Sequence, residues 1–321
     1  MLRIVGSAAM LALLVWRLPD FDVSELVPEW STTVALWLVA SALTMLVAFA
    51  LQTVRWSQVL TALGHHIEFR TLLNQFLAGQ FVSNVLPTAF GGDVVRIARS
   101  SRIIGDRPAA FASIALERLT GWLVLPLISF TALAAVPEFR ALGGVTVTAI
   151  AINGVTLAAL LAILFVAASQ RWTQAALTAT GWRAWLASVH LGINAMRRSP
   201  GAIGRTVAAG VAFQVTQCLA VYFVARALDI GVITVWAVFA FFPPTAISQN
   251  LPVGFGGLGV REAGFVVFFG ALGAVEERAI ALGLITYLIT VLTSALGAPS
   301  FAFGGWRTTL AADVATAAER S

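Results

Sequence analysis

Two arginines that recur at one fixed position of a repeated phrase are the residues of this chain best placed to do chemistry. Ser83–Arg96 reads SNVLPTAFGGDVVR and Ser248–Arg261 reads SQNLPVGFGGLGVR, identical at eight of fourteen positions without a gap. The shared set includes Pro87/Pro252, Gly91/Gly256, Gly92/Gly257 and Arg96/Arg261. Proline removes a backbone donor and stops or kinks a helix, while paired glycines open conformations closed to other residues. Broken backbone at membrane depth survives only against protein or a water-filled cavity. The freed N–H groups of the following helix favour an anion, and an arginine adds a planar fork that grips phosphate. The chemistry offered is recognition of a phosphate-bearing group by Arg96 and Arg261, each one turn into the helix after its break. The alternative is structural: both snorkel to the interface or pair with acids such as Asp93 and Glu262.

Other polar groups cluster around the two phrases. Asp93 can cap the first following helix, whereas Leu258, at the matching position, cannot. Glu117 and Arg118, in SIALERLTG, open an apolar run and must face protein or water. They support the first phrase or mark a helix end. Asn84, Gln80, Gln249 and Asn250 precede the breaks and either hold a headgroup or satisfy loosened backbone. The candidate substrate-binding set is therefore Asn84, Pro87, Gly91, Gly92, Asp93, Arg96, Glu117 and Arg118 with Asn250, Pro252, Gly256, Gly257, Arg261 and Glu262. Arg99, Arg102 and Arg107 read as a solvated, membrane-facing surface. His65 and His66 have no companion ligands and Cys218 is the single cysteine, so no metal site, disulfide or cofactor is expected.

These residues need apolar helices to hold them. The chain is 59% hydrophobic and 11% charged over 321 residues, with a mean hydropathy of +0.89. Its twenty basic residues are all arginine. The resulting positive charge belongs to loops beside membrane spans, where it sets topology, and does not indicate a nucleic-acid partner. Long charge-free runs include Trp30–Val54, Thr71–Gly92, Leu119–Pro137, Ala141–Gln170, Thr206–Ala225, Ile230–Val260 and Ala279–Trp306. Since about 20 apolar residues span a bilayer, most of these can cross. Ile4–Trp16 imitates a signal peptide but lacks a small-residue cleavage site, and reads as an uncleaved first helix. The expected fold is an all-α polytopic membrane protein with about six full transmembrane helices and two Pro/Gly-broken re-entrant segments.

Charge orients the spans. Leu18–Glu29 carries four acids and no base and belongs outside, whereas Arg55–Arg70 and Asp93–Arg107 are net basic and belong inside. The run between two cytoplasmic flanks must enter and return near Pro87. The second phrase is flanked by three bases and four acids, which is external chemistry. The two phrases then face opposite sides in an inverted repeat, the arrangement that puts a shared site near the midplane of transporters. One integral membrane domain, 1–321, is expected: repeat 1 over about 30–140, repeat 2 over about 206–305, and a basic interfacial linker over 171–205. Both termini fall in the cytoplasm.

The phrases LPTAFGGDVVR, SIALERLTG and NLPVGFGGLGVREAGF resemble the lysylphosphatidylglycerol synthase transmembrane-region family of flippase-like membrane proteins, over roughly residues 5–305. The resemblance implies a plasma-membrane protein of the bacterial envelope, standing alone without the aminoacyl-transferase domain of other members. It implies movement of an anionic or phosphate-bearing, phospho- or polyprenyl-linked lipid between leaflets. No nucleotide loop is visible, so transport is expected to run on a gradient, coupled ions or equilibration. Membrane lipids are the expected partners, with envelope-lipid biosynthetic enzymes possible. Two other classes compete. An integral-membrane transferase would use Asp20 and Asp22, and an accessory scaffold would co-purify with a synthase and move no lipid.

Overall fold

The computed structural model describes residues 26, 28–85, 91–169, 182–250 and 257–302, and all regular structure among them is helical. Helix α1 (Thr32–Ala62) begins at Ser31, whose hydroxyl accepts from the Val34 N–H at 3.2 Å, satisfying one of the donors a helix start leaves open. Helices α2 (Phe69–Val85) and α3 (Gly91–Ile104) follow. Asp106 caps α4 (Arg107–Ala135) by accepting from the Ala109 N–H at 2.9 Å. A 3-10 turn (Pro137–Leu142) leads to α5 (Gly144–Ala167), then α6 (Trp182–Arg197) and α7 (Pro200–Ala227). The rest is α8 (Val235–Gln249), α9 (Val260–Gly270) and α10 (Glu276–Ser294), which further helical residues extend to Ala302.

Five of these are long and apolar enough to cross a membrane: α1, α4, α5, α7 and α10 with its extension. They match five of the six expected spans, and the sixth, Ile4–Trp16, lies outside the described residues. Each broken phrase divides a pair of shorter helices, α2/α3 and α8/α9. At about 1.5 Å per residue none of the four reaches across a hydrocarbon core of about 30 Å. In each pair the two arms pack on one another.

Two of the packing contacts are reciprocal. Helices α1 and α7 run against each other along their lengths. Helix α4 packs on α8 and α3, and α10 packs on α9 and, with its extension, on α2, so each of these spans joins the first arm of one broken pair to the second arm of the other. Hydrogen bonds mark both exchanges. Ser129 Oγ donates to the Ala240 carbonyl at 2.5 Å, and Tyr287 donates through its hydroxyl to the Asn84 carbonyl at 3.1 Å. The main core joins Phe49, Trp56 and Phe76 to Phe241, Phe265 and Phe269.

Two boundaries differ from the sequence reading. Arg55 is not a loop residue, because α1 continues for seven residues beyond it and the side chain is 2% exposed. Without Arg55 the flank up to Arg70 sets Arg70 against Glu68 and is not net basic as expected. The same-end argument survives on other ground: His65 and Asp106 approach to 3.8 Å, which brings the α1–α2 loop and the α3–α4 turn to one end of the bundle. The linker is also less peripheral than expected. Its described part, α6, buries Leu186, Val189 and His190 and packs on α4, α5 and α7.

Candidate functional site

A cavity of about 350 Å³ lies where the two broken pairs meet the four helices α1, α4, α7 and α10. Asn84, Asp93, Arg96, Glu117 and Arg118 from the first half line it together with Asn250, Gly257 and Arg261 from the second. Residues separated by more than 160 positions thus share one wall system. Pro87, Pro252 and Gly256 lie outside the described residues. Gly91, Gly92 and Glu262 stand behind the lining, the last fully buried.

The first half contributes a charge network. Glu117 is fully buried on α4 and accepts from Arg55 Nη2 at 2.6 Å through Oε1 and from Arg96 Nη2 at 2.9 Å through Oε2. Gln52 Nε2 also donates to Oε1. Asp93 Oδ2 meets Arg118 Nε at 2.5 Å, and its Oδ1 lies 3.7 Å from Arg96 Nη1. Isolated ions at this depth would be prohibitively costly, and mutual pairing is what makes them tolerable. Aromatic faces support the guanidinium groups. Arg96 lies 4.3 Å from the Trp56 ring centroid, and Arg55 lies 5.2 Å from that of Phe213.

The second half is built differently. Arg261, only the second residue of α9, donates through Nε to Gln249 Oε1 at 3.1 Å and through Nη1 to the Gly283 carbonyl at 3.4 Å. Its guanidinium lies 5.1 Å from the Tyr287 ring centroid. Glu262 accepts from the Gly259 N–H at 2.6 Å and so caps α9.

Several expectations need correction. Asp93 does not serve as a helix cap, because it sits inside the first turn of α3 and its carboxylate turns to Arg118 and Arg96. The second half is not short of an acid at its helix start, since Glu262 supplies one. Neither phrase arginine snorkels: Arg96 is 5% exposed and Arg261 is 4% exposed. Arg102 and Arg107 are exposed as expected. Arg99 is not simply solvated, because it donates to the Ser300 and Phe301 carbonyls at 2.8 and 2.9 Å and holds α3 to the end of the α10 extension. Asn84 donates to Ser294 Oγ at 3.0 Å and ties α2 to α10, whereas Asn250 donates to the Ala246 carbonyl at 2.8 Å and serves its own helix end.

Sequence reasoning missed Arg55, Gln52, Gln214, Gln217, Thr286 and Tyr287, all of which line the cavity. A signal for Arg55 existed. No proline or glycine separates Val54 from Ala62, and Met45, Phe49, Gln52, Trp56 and Val59 recur at the spacing of one helix face.

Five apolar spans, four of which line one polar cavity, define a multi-pass membrane protein. The family model for the lysylphosphatidylglycerol synthase TM region matches residues 2–297, and the chain belongs to that family, which links it to lipid-related processes. No curated protein and no solved structure matches the chain.

Proposed function

We propose that the cavity holds the anionic headgroup of a membrane lipid and that the protein carries this lipid between leaflets without chemical change. The observation that carries the proposal is the wall itself. Four arginines, Arg55, Arg96, Arg118 and Arg261, line it with only two carboxylates, Asp93 and Glu117, among apolar spans. The imbalance of two positive charges favours an anion. Hydrogen-bonding capacity is also left over, since Arg55 Nε and Nη1 and Arg96 Nε have no partner among the described residues. Buried donors in this condition cost free energy that a phosphate oxygen would recover.

In this proposal α2/α3 and α8/α9 are re-entrant pairs of an inverted repeat. Support comes from their shortness, from the same-end placement of the α1–α2 loop and α3–α4 turn, and from the exchanged packing of α4 on α8 and α10 on α2. Rocking of one half against the other would expose the cavity to each leaflet in turn. A plasma-membrane location with cytoplasmic termini accords with the exposed arginines Arg102, Arg107, Arg197 and Arg198. Purified protein in liposomes should scramble a fluorescent phosphatidylglycerol, read as the fraction bleached by external dithionite. Arg96→Gln and Arg261→Gln should each slow it by about tenfold or more, consistent with loss of a charge-assisted hydrogen bond. Full-rate scrambling by both folded variants sinks the site, and an inert wild-type protein favours a scaffold.

A further inference from the structure

We infer that the cavity selects a phosphate headgroup bearing several hydroxyls, a polyol or sugar phosphodiester, over any amine-bearing headgroup. This rests on the lipid-headgroup proposal above and follows from which polar atoms the protein leaves unspent.

Three of the four carboxylate oxygens on the cavity wall are spent. Both oxygens of Glu117 accept from protein donors, Oε1 from Arg55 and Gln52 and Oε2 from Arg96. Asp93 has Arg118 against one oxygen at 2.5 Å and Arg96 near the other at 3.7 Å. A primary ammonium entering the cavity finds only Asp93 Oδ1 outside hydrogen-bond distance of a guanidinium, and there it meets an excess of positive charge from Arg96 and Arg118. Glu262 keeps one oxygen, Oε1, without a hydrogen-bond partner among the described residues, but it is fully buried behind the wall against Gly283 while its other oxygen caps α9.

A quaternary ammonium does no better. Such groups are held by cages of several aromatic faces, and of the six rings that line the cavity Phe76, Phe213 and Tyr287 already carry a guanidinium, leaving Phe49, Trp122 and Phe242. Arg96 covers Trp56 and Phe76, Arg55 covers Phe213, and Arg261 covers Tyr287.

Hydroxyl acceptors, in contrast, are abundant. Gln52, Gln214, Gln217, Gln249, Thr286 and Thr290 all line the cavity. Gln214 donates through Nε2 to the Gly121 carbonyl at 3.2 Å and Gln52 donates to Glu117, so the nitrogen of each amide is committed. Their oxygens and Thr286 Oγ1 have no partner among the described residues, although Gln214 is 4% exposed and Thr286 is 6% exposed. Amide oxygens accept from hydroxyls, while the remaining N–H groups of Arg55 and Arg96 suit phosphate oxygens. A volume of about 350 Å³ falls in the ordinary range for small-molecule sites and exceeds what a bare phosphate needs. The phosphate then sits towards Arg55 and Arg96, with the polyol towards Gln214 and Thr286.

The test is a native mass-spectrometric titration of the purified full chain with lipids of matched acyl chains. The probes are phosphatidylinositol, phosphatidylglycerol, phosphatidic acid, phosphatidylethanolamine and phosphatidylcholine. Phosphatidylinositol should bind about tenfold more tightly than phosphatidic acid, the scale of one or two hydrogen bonds. The amine-bearing lipids should bind more weakly than both. Gln214→Leu and the near-isosteric Thr286→Val, each checked for an unchanged melting temperature, should narrow the first gap while phosphatidic acid still binds. Equal binding of phosphatidylinositol and phosphatidic acid overturns this inference alone, as does phosphatidylethanolamine binding as well as phosphatidylinositol. Failure of every anionic lipid overturns the headgroup proposal beneath it. Free inositol 1-phosphate binding as tightly as the lipid would replace the lipid with a soluble polyol phosphate and overturn the lipid assignment.

Discussion

The two broken helix pairs spell nearly the same phrase yet use it for different physical ends. Gly92 lies within α3, where a Cβ would stand 2.1 Å from the Gly79 carbonyl oxygen and 2.2 Å from Ser83 Oγ. Its matching residue, Gly257, has a φ of +77°, a backbone state that side chains disfavour. One glycine permits close approach of α2 and α3, and the other permits a turn before α9. The acids have moved as well. The sequence IAL occurs at Ile114–Leu116 and again at Ile280–Leu282, followed by Glu117 in one half and Gly283 in the other. A Cβ on Gly283 would meet Glu262 Oε1 at 2.8 Å, so the space that a side chain would need in α10 is filled by a carboxylate from α9. The two helix pairs share a phrase and distribute glycine and charge differently around it. The result is an ion network on one side of the cavity and an amide-rich side around Arg261 on the other.

The sharpest break in that comparison is removal of Glu117. Glu117→Gln leaves Arg55 and Arg96 buried without their shared carboxylate and should destabilise the protein by about 3–5 kcal/mol. Thermal unfolding in detergent checks this, and a melting temperature equal to wild type would show that the network carries little of the fold. Next is Gly92→Ala, which forces α2 and α3 apart and should cost about 1–3 kcal/mol as overpacking. Gly257→Ala should cost about 1–2 kcal/mol through backbone strain. The comparison is sharpened by its rescue pattern: trimming Ser83 to Gly should relieve Gly92→Ala in part and leave Gly257→Ala unchanged. The smallest effect belongs to Glu262→Gln, which weakens the α9 cap by about 1 kcal/mol. A loss as large as that from Glu117→Gln would mean that the second half also depends on a buried ion network.

Much of this was legible in the chain. Apolar runs gave the spans, and the repeated proline, glycine and arginine residues pointed to two breaks whose side chains share a cavity. What escaped was the part that depends on side chains from distant elements. Arg55 looked like the end of a span because charge was used to mark the boundary, whereas a partner 62 residues away on α4 lets it stay inside the helix. Asp93 looked like a cap because caps are local, yet its partner Arg118 comes from the next helix. Glutamines such as Gln214 carry no periodic or charge signature, so only packing reveals that they face the same cavity as Arg96.

The central claim is that both phrases wall one headgroup cavity. Photolabelling of the full chain in liposomes, with phosphatidylglycerol carrying a photoreactive group on its headgroup, tests it most directly. Peptide mapping should find adducts in both halves, around Arg96 to Arg118 and around Gln249 to Thr290, and excess unlabelled phosphatidylglycerol should suppress both together. Adducts confined to one half, or spread over the exposed faces of α5, would contradict the account.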